Sequence, residues 1–524
     1  MRKFRFYQWA LVALMASALA ACGGGVGPGG AGTATGAGGS TGTLAGVVTN
    51  ISNGAAISGA KVTLGRSSTT TDSTGAYSFS VATGTAPAYV SATGYQTTSQ
   101  NVTINTGSTT TNNFEMTAAY GTQTPPANSM NYVLFAWNNL GMHCDQNDYS
   151  AFCVLPPYNI LVAELINRNT TTNPITSGVT VSYYLYNKQN PSLHTNFWNY
   201  VGQFCGTNAQ GVYSCWSAAQ NVGITGNGPS GNMVLRSDNL SWTAAGLPAT
   251  PYDDDGTWDP YGYAIVNATD NTTGALLATV KAETPVSTEM DCMNCHGTSV
   301  LDPTLSPQAS ILYDHDTYNN GANGTHLYTD YQSGKVHLCG ECHEDNALGT
   351  TNQNGATTDI STAMHSFHAG LMNTTTTSAN TSPDCFNCHP GPKTQCLRGI
   401  MARAGKSCHD CHGDMTAMGN PNRQPWTAGS LPKCATCHDP KYYTENSNTL
   451  YQNSLLNDSP NNAMNGKLYC EACHNGTHAE LMTTATPSSL NNADSNLPEY
   501  LQGDNYWIHA CTICHPNKSG YVHH

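Results

Sequence analysis

Short apolar runs separated by turn residues dominate residues 44–118. The segments "AGVVTN", "ISGAKVTLG", "AYSFSVAT" and "APAYVSATGY" alternate apolar and polar positions and are split by Gly, Asn, Asp and Ser. This alternation is typical of strands with one face buried. We expect Leu64, Tyr77, Phe79 and Val81 to face inward in a small β-sandwich over 44–118 that acts as a spacer or adhesion module.

Residues 131–290 also carry a strand pattern. It is clearest in "NYVLFAW", "NILVAELI" and "VTVSYYLYN", and in "YGYAIVNATDNTTGALLATVKA", whose centre reads as a hairpin turn. Cys205 and Cys215 flank a turn that contains Gly and are expected to form a disulfide. Cys144, Cys153 and Cys396 are candidates for one further bridge. Cys144–Cys153 is the local choice and Cys144–Cys396 the long-range one, and the sequence leaves the choice open.

The N-terminus predicts export. Basic residues precede the apolar run "WALVALMASALAA", which is too short to span a bilayer. The run ends in "LAAC" and resembles a bacterial lipoprotein signal, which implies cleavage after residue 21 and a lipid on Cys22. An ordinary secretory signal is the alternative. By resemblance to lipoprotein sorting rules, Gly23 favours the outer membrane, and Gly-rich residues 22–43 read as a flexible tether.

Seven C-x-x-C-H motifs fill residues 291–524, where long apolar runs disappear. Their cysteines are Cys292, Cys295, Cys339, Cys342, Cys385, Cys388, Cys408, Cys411, Cys434, Cys437, Cys470, Cys473, Cys511 and Cys514, and their histidines are His296, His343, His389, His412, His438, His474 and His515. This motif attaches c-type haem, because two thiols three residues apart can form thioethers to one porphyrin edge while the next imidazole reaches the iron.

Other uses of paired cysteines fit this pattern poorly. Zinc ribbons need pairs of pairs, usually 15–20 residues apart, whereas these seven motifs follow one another at 23 to 47 residues. A redox C-x-x-C does not require a following histidine. Residues 292–524 provide 233 residues for seven haems, about 33 each, so the porphyrins themselves must form the core. We therefore expect this region to be unfolded without haem.

The remaining histidines are candidates for the sixth iron ligand. Those in the haem region are His315, His326, His337, His365, His368, His478 and His509, with His143 as a candidate from the β-rich region. His365 and His368 lie one turn apart on a predicted helix, so each can serve a different haem. His478 follows His474 by one turn and shares its side of the ring, so it is expected to reach a neighbouring haem. If both axial positions of every iron hold histidine, no iron is open to substrate.

The net charge and one acidic segment add little to the predicted function. A formal net charge of −14 argues against a nucleic-acid partner. The segment "DDDGTWD" from Asp253 to Asp259 offers oxygen ligands for Ca²⁺ but lacks the full EF-hand pattern, and a solvated acidic turn is the simpler interpretation.

Two resemblances complete the prediction. "ISGAKVTL", "TDSTGAYSFSV" and "ATGY" resemble the carboxypeptidase-regulatory-like β-sandwich. "LFAWNNLGMHC", "PVSTEMDCMNCH", "CFNCHPGPKTQCLRG" and "CEACHNGTHA" resemble the outer-surface multihaem c-type cytochromes of metal-respiring bacteria over about 131–524. That second resemblance implies electron transfer at the cell surface. The donors would be other multihaem cytochromes or periplasmic or outer-membrane proteins, and the acceptors would be metal oxides, electrodes or partner cells.

The sequence thus predicts five segments: a signal peptide at 1–21, a tether at 22–43, β-sandwich-like domains at 44–118 and 131–290, and a haem-packed cytochrome c region with short helices at 291–524. The alternative function is a multihaem reductase of oxyanions with one open haem. No C-x-x-C-K variant is present to mark such a haem.

Overall fold

The computed structural model describes residues 40–50, 54–64, 67–92, 95, 98–116, 131–168, 171–289, 292, 295–296, 304–319, 325–345, 347–371, 385–390, 394, 396–397, 400–422, 443–444, 455–456, 468–476 and 478. The predictions for the signal peptide, Cys22, His509, and the motifs at Cys434–Cys437–His438 and Cys511–Cys514–His515 lie outside these residues. Within the described ranges, no helix is long and apolar enough to cross a membrane.

The first unit is a sandwich of two four-stranded sheets. Its strands are β1 (Thr41–Asn50), β2 (Lys61–Leu64), β3 (Ser67–Thr70), β4 (Ala76–Ala82), β5 (Gly84–Ser91), β6 (Thr98–Ile104), β7 (Thr109–Thr111) and β8 (Phe114–Met116). In one sheet β4 and both β7 and β8 pair with β1, and the other has the order β3-β2-β5-β6. Leu64, Tyr77 and Val81 are buried in the shared core, and Phe79 packs half-buried against it. The alternation of the sequence therefore gives the correct inward face.

The second β-rich region also contains two main sheets. Its strands are β9 (Tyr132–Asn138), β10 (His143–Cys144), β11 (Phe152–Cys153), β12 (Ile160–Asn167), β13 (Thr171–Pro174), β14 (Val179–Leu185), β15 (Cys205–Thr207), β16 (Tyr213–Cys215), β17 (Ser230–Asn232), β18 (Val234–Leu235), β19 (Trp242–Ala245), β20 (Tyr263–Asp270), β21 (Leu276–Glu283) and β22 (Val286–Ser287). One sheet has the order β13-β12-β19-β18 with β9 on β12, and the other has the order β17-β14-β20-β21. The predicted hairpin is formed by β20 and β21, which pair antiparallel.

Two of the hydrophobic cores of this region lie on either side of β9 and β12. Alternate side chains of β9, β12, β14, β20 and β21, such as Leu161 and Val266, form the first core. The opposite faces of β9 and β12 carry Phe135, Trp137 and Val162 into the second core. Because both faces of these strands are covered, β9 and β12 read as continuous apolar runs rather than as alternating ones.

Beyond residue 289 the described helices are few and short. They are α1 (Pro307–Tyr318), α2 (Leu327–Gln332), α3 (Ile360–Ala369), α4 (Ile400–Arg403), α5 (Cys408–His412), α6 (Met415–Met418) and α7 (Glu471–His474), with short strands β23 (His337–Leu338), β24 (Tyr443–Thr444) and β25 (Leu455–Leu456). The Asp359 carboxylate accepts the Thr362 amide at 2.9 Å and caps α3. Strand β23 pairs parallel with β11, which joins this region to the second β-rich region.

Candidate haem-attachment sites

Each described C-x-x-C-H motif forms one helical turn. The amide of the motif histidine donates to the carbonyl of the first cysteine at 2.9 Å for His296, 3.0 Å for His343, 2.8 Å for His389 and 3.0 Å for His474. The motif with His412 is helix α5 itself. One turn brings residues i and i+3 to the same side of the helix, where both sulfur atoms can meet one flat group.

Three motif histidines lie close to a second histidine from another part of the chain. The ring centres of His296 and His368 are 6.3 Å apart with an interplanar angle of 87°. Those of His389 and His365 are 6.0 Å apart with an angle of 12°. A third pair, formed by His412 and His478, is separated by 6.2 Å with an angle of 12°.

These separations fit two imidazoles on opposite sides of one metal ion. With metal–nitrogen bonds of about 2 Å, the two nitrogens lie about 4 Å apart and the ring centres about 6 Å apart. A haem iron takes four ligands from its porphyrin, so two histidines complete the set. Within the described ranges, no group of three or more His, Cys, Asp or Glu side chains is arranged to hold a metal ion. The three ring separations fit an iron with one histidine on each side.

Hydrogen bonds fix which ring nitrogen is available at several of these residues. His343 Nδ1 lies 3.0 Å from the carbonyl oxygen of Thr358. His365 and His368 each point Nδ1 at the carbonyl oxygen four residues earlier in α3, both at 2.7 Å. A carbonyl only accepts, so Nδ1 must carry the proton, and in the neutral ring Nε2 keeps the lone pair that binds a metal.

Burial lowers the pKa of three histidines in this region, His296, His315 and His389, and so favours their neutral form. Burial first, and then the imidazoles of His365 and His478, lower the pKa of His389 to about 4. Burial and then His368 lower the pKa of His296. The pKa of His315 is lowered by burial first, and the nearby imidazole of His343 also lowers it. His315 of helix α1 is thus close to the histidine of the second motif.

Two other candidate ligands, His337 and His143, make hydrogen bonds through the ring nitrogen that would bind a metal. His337 has Nδ1 at 2.9 Å from Glu341 and Nε2 at 2.7 Å from Asp330. These hydrogen bonds, led by Glu341, raise the pKa of His337, so both nitrogens favour carboxylates over a metal. His143 is buried with Nε2 at 2.6 Å from the carbonyl oxygen of Pro156. This is the bonding of a structural histidine.

Two further histidines have distinct positions. His326 precedes α2, and its backbone carbonyl accepts the amide of Asp330 at 2.8 Å. Among the residues that the structure describes, its ring contacts no motif histidine. His409, inside the fourth motif, has Nε2 at 3.9 Å from the sulfur of Cys385 in the third motif. Neighbouring attachment motifs are therefore close in space.

Comparison with known proteins bears on the N-terminal sandwich. Residues 43–117 match the carboxypeptidase regulatory-like domain family. This match supports the predicted β-sandwich in that segment. None of the curated proteins compared with the chain matches it.

Solved structures similar to this chain were also found. A DUF3823 family protein from Bacteroides ovatus is 12% identical and covers 47% of this chain and 99% of that chain, with a TM-score of 0.13. A DUF3823 family protein from Parabacteroides merdae has 12% identity, coverages of 47% and 98%, and a TM-score of 0.13. BcpA, the major pilin subunit of Bacillus cereus, has 10% identity, coverages of 47% and 69%, and a TM-score of 0.15. Likenesses at this level carry no argument about this chain.

The cysteines outside the motifs divide into two kinds. Cys205 and Cys215 form the predicted disulfide, which links β15 to β16. The local bridge between Cys144 and Cys153 is not formed, because the two buried residues belong to strands with different partners. Among the charges that raise the pKa of the Cys144 thiol after burial itself, Cys396 comes first. The long-range bridge between Cys144 and Cys396 is not formed either, although the two thiols are close enough to interact electrostatically.

The acidic segment considered for Ca²⁺ is engaged with a lysine. The buried Lys188 ammonium lies 3.2 Å from a carboxylate oxygen of Asp253 and 3.5 Å from one of Asp259. The Asp254 carboxylate accepts the amides of Gln189 and Asn190 at 3.1 and 2.7 Å. These contacts engage one oxygen each of Asp253 and Asp259 and both oxygens of Asp254.

The sixth motif is anchored in the second β-rich region, and sequence reasoning missed this. Leu468, Tyr469 and Ala472 are buried in the core formed by the outer faces of β9 and β12. The Tyr469 amide donates to the carboxylate of fully buried Glu164 at 3.3 Å, and burial raises the pKa of that carboxyl well above its usual range. A signal was present: Glu164 is a charged residue inside the apolar strand "ILVAELIN", and a buried carboxyl needs a partner.

Proposed function

We propose that this chain is an electron-transfer protein that carries electrons through a series of covalently attached c-type haems. The observation that supports this most strongly is the pairing of three motif histidines with distant histidines at 6.0 to 6.3 Å between ring centres. Seven repeated motifs in one exported chain point to a series of redox centres rather than a single one.

The cysteines and histidines of each motif have separate roles in this proposal. The two cysteines of each motif would hold one haem through thioethers, and the next histidine would be one ligand of its iron. We assign the second side to His368 in the first motif, His315 in the second, His365 in the third and His478 in the fourth. When bound, haem c accepts and releases one electron at its iron, at a potential that the axial ligands and surroundings set.

This ligand arrangement favours relay over catalysis. An iron with imidazole on both sides offers no position to a substrate, so oxyanion reduction requires a motif with only one histidine. Helix α3 adds a structural reason for relay. Its His365 and His368 lie close to two different motif histidines, His389 and His296, so one helix turn would keep two haems close together.

The site of action follows from the export signal. We propose that a lipid on Cys22 anchors the chain to the outer membrane and that the Gly-rich tether lets the domains extend from the surface. Periplasmic or outer-membrane cytochromes would supply electrons, and metal oxides or other external solids would accept them. The sandwich at 44–118 would act as a spacer or adhesion module.

Haem content and iron coordination in the exported holoprotein test this proposal. We expect seven haems per chain by the pyridine haemochrome assay, low-spin signals in the electron paramagnetic resonance spectrum, and oxidation of the reduced protein by ferric oxide. Cyanide and nitrite should leave the spectrum of the oxidised protein unchanged. Fewer than seven haems would contradict the series, and a spectral shift with nitrite would favour the oxyanion reductase.

A further inference from the structure

The loop between β9 and β10 of the second β-rich region reaches one of the assigned iron ligands. Gly141 has a φ of +82°, a left-handed backbone that favours glycine. The buried Asn138 side chain fixes this loop, because its oxygen accepts the amide of Leu140 at 3.1 Å and also that of Gly141. The loop therefore has a defined position against its neighbours.

The imidazole of His478 lies directly against Gly141. A Cβ added at Gly141 would meet His478 Nδ1 at 2.7 Å, Cγ at 3.2 Å and Cβ at 3.4 Å. Carbon and nitrogen atoms in contact lie about 3.5 Å apart or more, so a methyl group at this position requires the ring to move. The ring has little room to move without losing its place opposite His412, 6.2 Å away with nearly parallel planes.

The same region also holds the chain that leads to His478. Tyr469, nine residues earlier, is buried against Trp137 of β9 with ring centres 6.2 Å apart. The β-rich region thus contacts the segment at its start, through Tyr469, and the ligand itself, through Gly141. Two such contacts define both where the ligand is and how its ring is turned.

We propose that Gly141 is a positioning residue that sets the imidazole of His478 on the iron of the haem held by Cys408 and Cys411. This inference rests on the proposed function and adds a role for the second β-rich region in iron coordination. Gly141 acts only through His478, so its replacement should convert the iron opposite His412 to a high-spin state and leave the other six unchanged.

The test compares two alanine substitutions with matched backbone strain. Gly141→Ala and Gly178→Ala both place alanine at a positive φ, +82° and +72°, but a Cβ at Gly178 has nothing within 4 Å. We expect Gly141→Ala to make about one seventh of the iron high-spin, as measured by electron paramagnetic resonance, and Gly178→Ala to match the unmodified protein. Equal low-spin content in both variants would overturn the inference.

A double variant keeps the test decisive if Gly141→Ala fails to accumulate. His478→Ala removes the imidazole that the new methyl group would meet, so Gly141→Ala combined with His478→Ala should accumulate and match His478→Ala alone in high-spin iron. Failure of the double variant to accumulate, or a second high-spin haem in it, would count against Gly141 acting through His478.

His478→Ala alone separates the two proposals. High-spin iron in His478→Ala without any in Gly141→Ala would overturn the positioning role and leave the proposed function intact. Fully low-spin iron in His478→Ala would refute the assignment of His478 as an iron ligand. The positioning role of Gly141 would then be refuted as well.

Discussion

Replacement of Tyr469 tests whether the sixth attachment motif belongs to the core of the second β-rich region. The Tyr469 hydroxyl donates to Asp238 at 2.6 Å, and a hydrogen bond to a charged group contributes about 1.5–3 kcal/mol. Tyr469→Phe should therefore lower the free energy of unfolding by about that amount. Tyr469→Ala also removes a ring that is 1% exposed, and loss of a buried aromatic side chain costs about 3–5 kcal/mol.

Hydrogen exchange measured by mass spectrometry can locate this effect. We expect amides of β9 and β12 in Tyr469→Ala to exchange more than about a thousand-fold faster, since each 1.4 kcal/mol is a factor of ten. Strand β1 of the N-terminal sandwich should not change. Tyr213, which is 69% exposed, provides the control variant Tyr213→Ala. If β9 and β12 of Tyr469→Ala exchange as slowly as in that control, Tyr469 does not support this core and the argument is wrong.

Three further predictions concern ligands and pH. His365→Ala and His368→Ala should each make about one seventh of the iron high-spin, and the double variant about two sevenths, by electron paramagnetic resonance; a double variant with one affected haem would contradict the assignment to two motifs. His478→Met should raise the reduction potential of one haem, because methionine ligation raises that potential. Paramagnetic NMR should show that the affected haem is the one on Cys408. A change at another haem would exclude His412 and His478 as the two ligands of one iron. Burial raises the pKa of Asp145 to about 7, so its contribution to stability is present below about pH 4 and lost as pH rises through 7. Asp145→Asn should have the melting temperature of the unmodified protein below about pH 4 and a higher melting temperature at pH 8. Equal melting temperatures at pH 8 would refute this.

Local sequence predicted much of the β structure, and the reason is that alternation and turns act over a few residues. The inward positions of Tyr77 and Val81 follow from period-two alternation alone, and the hairpin of β20 and β21 follows from two apolar runs around a turn. The second β-rich region was harder to interpret, because β9 and β12 are covered on both faces and do not alternate. What covers the outer face includes Tyr469, more than 300 residues later in the chain.

For the candidate iron ligands too, sequence and structure supplied different information. His337 and His365 are equal as sequence signals, since each is a histidine near the attachment motifs. Their surroundings differ, because His337 lies between Asp330 and Glu341 while His365 donates to a helix carbonyl and lies opposite His389. The hydrogen-bond partners of each ring decide which nitrogen keeps a lone pair, and these partners depend on the local folded geometry around Asp330, Glu341 and helix α3. Sequence could name the candidate ligands, but it did not show these contacts.

The sequence by itself determined the seven C-x-x-C-H motifs, because their two thiols and imidazole lie within five consecutive residues. In the motifs that the structure describes, one helical turn places them. It also determined the Cys205–Cys215 disulfide, where a short turn brings the two residues together. The tertiary structure alone decided the second histidine of each pair and the contact of Gly141 with His478. Those partners come from segments tens to hundreds of residues apart, and their distances depend on how the β-rich region packs against the chain that follows it.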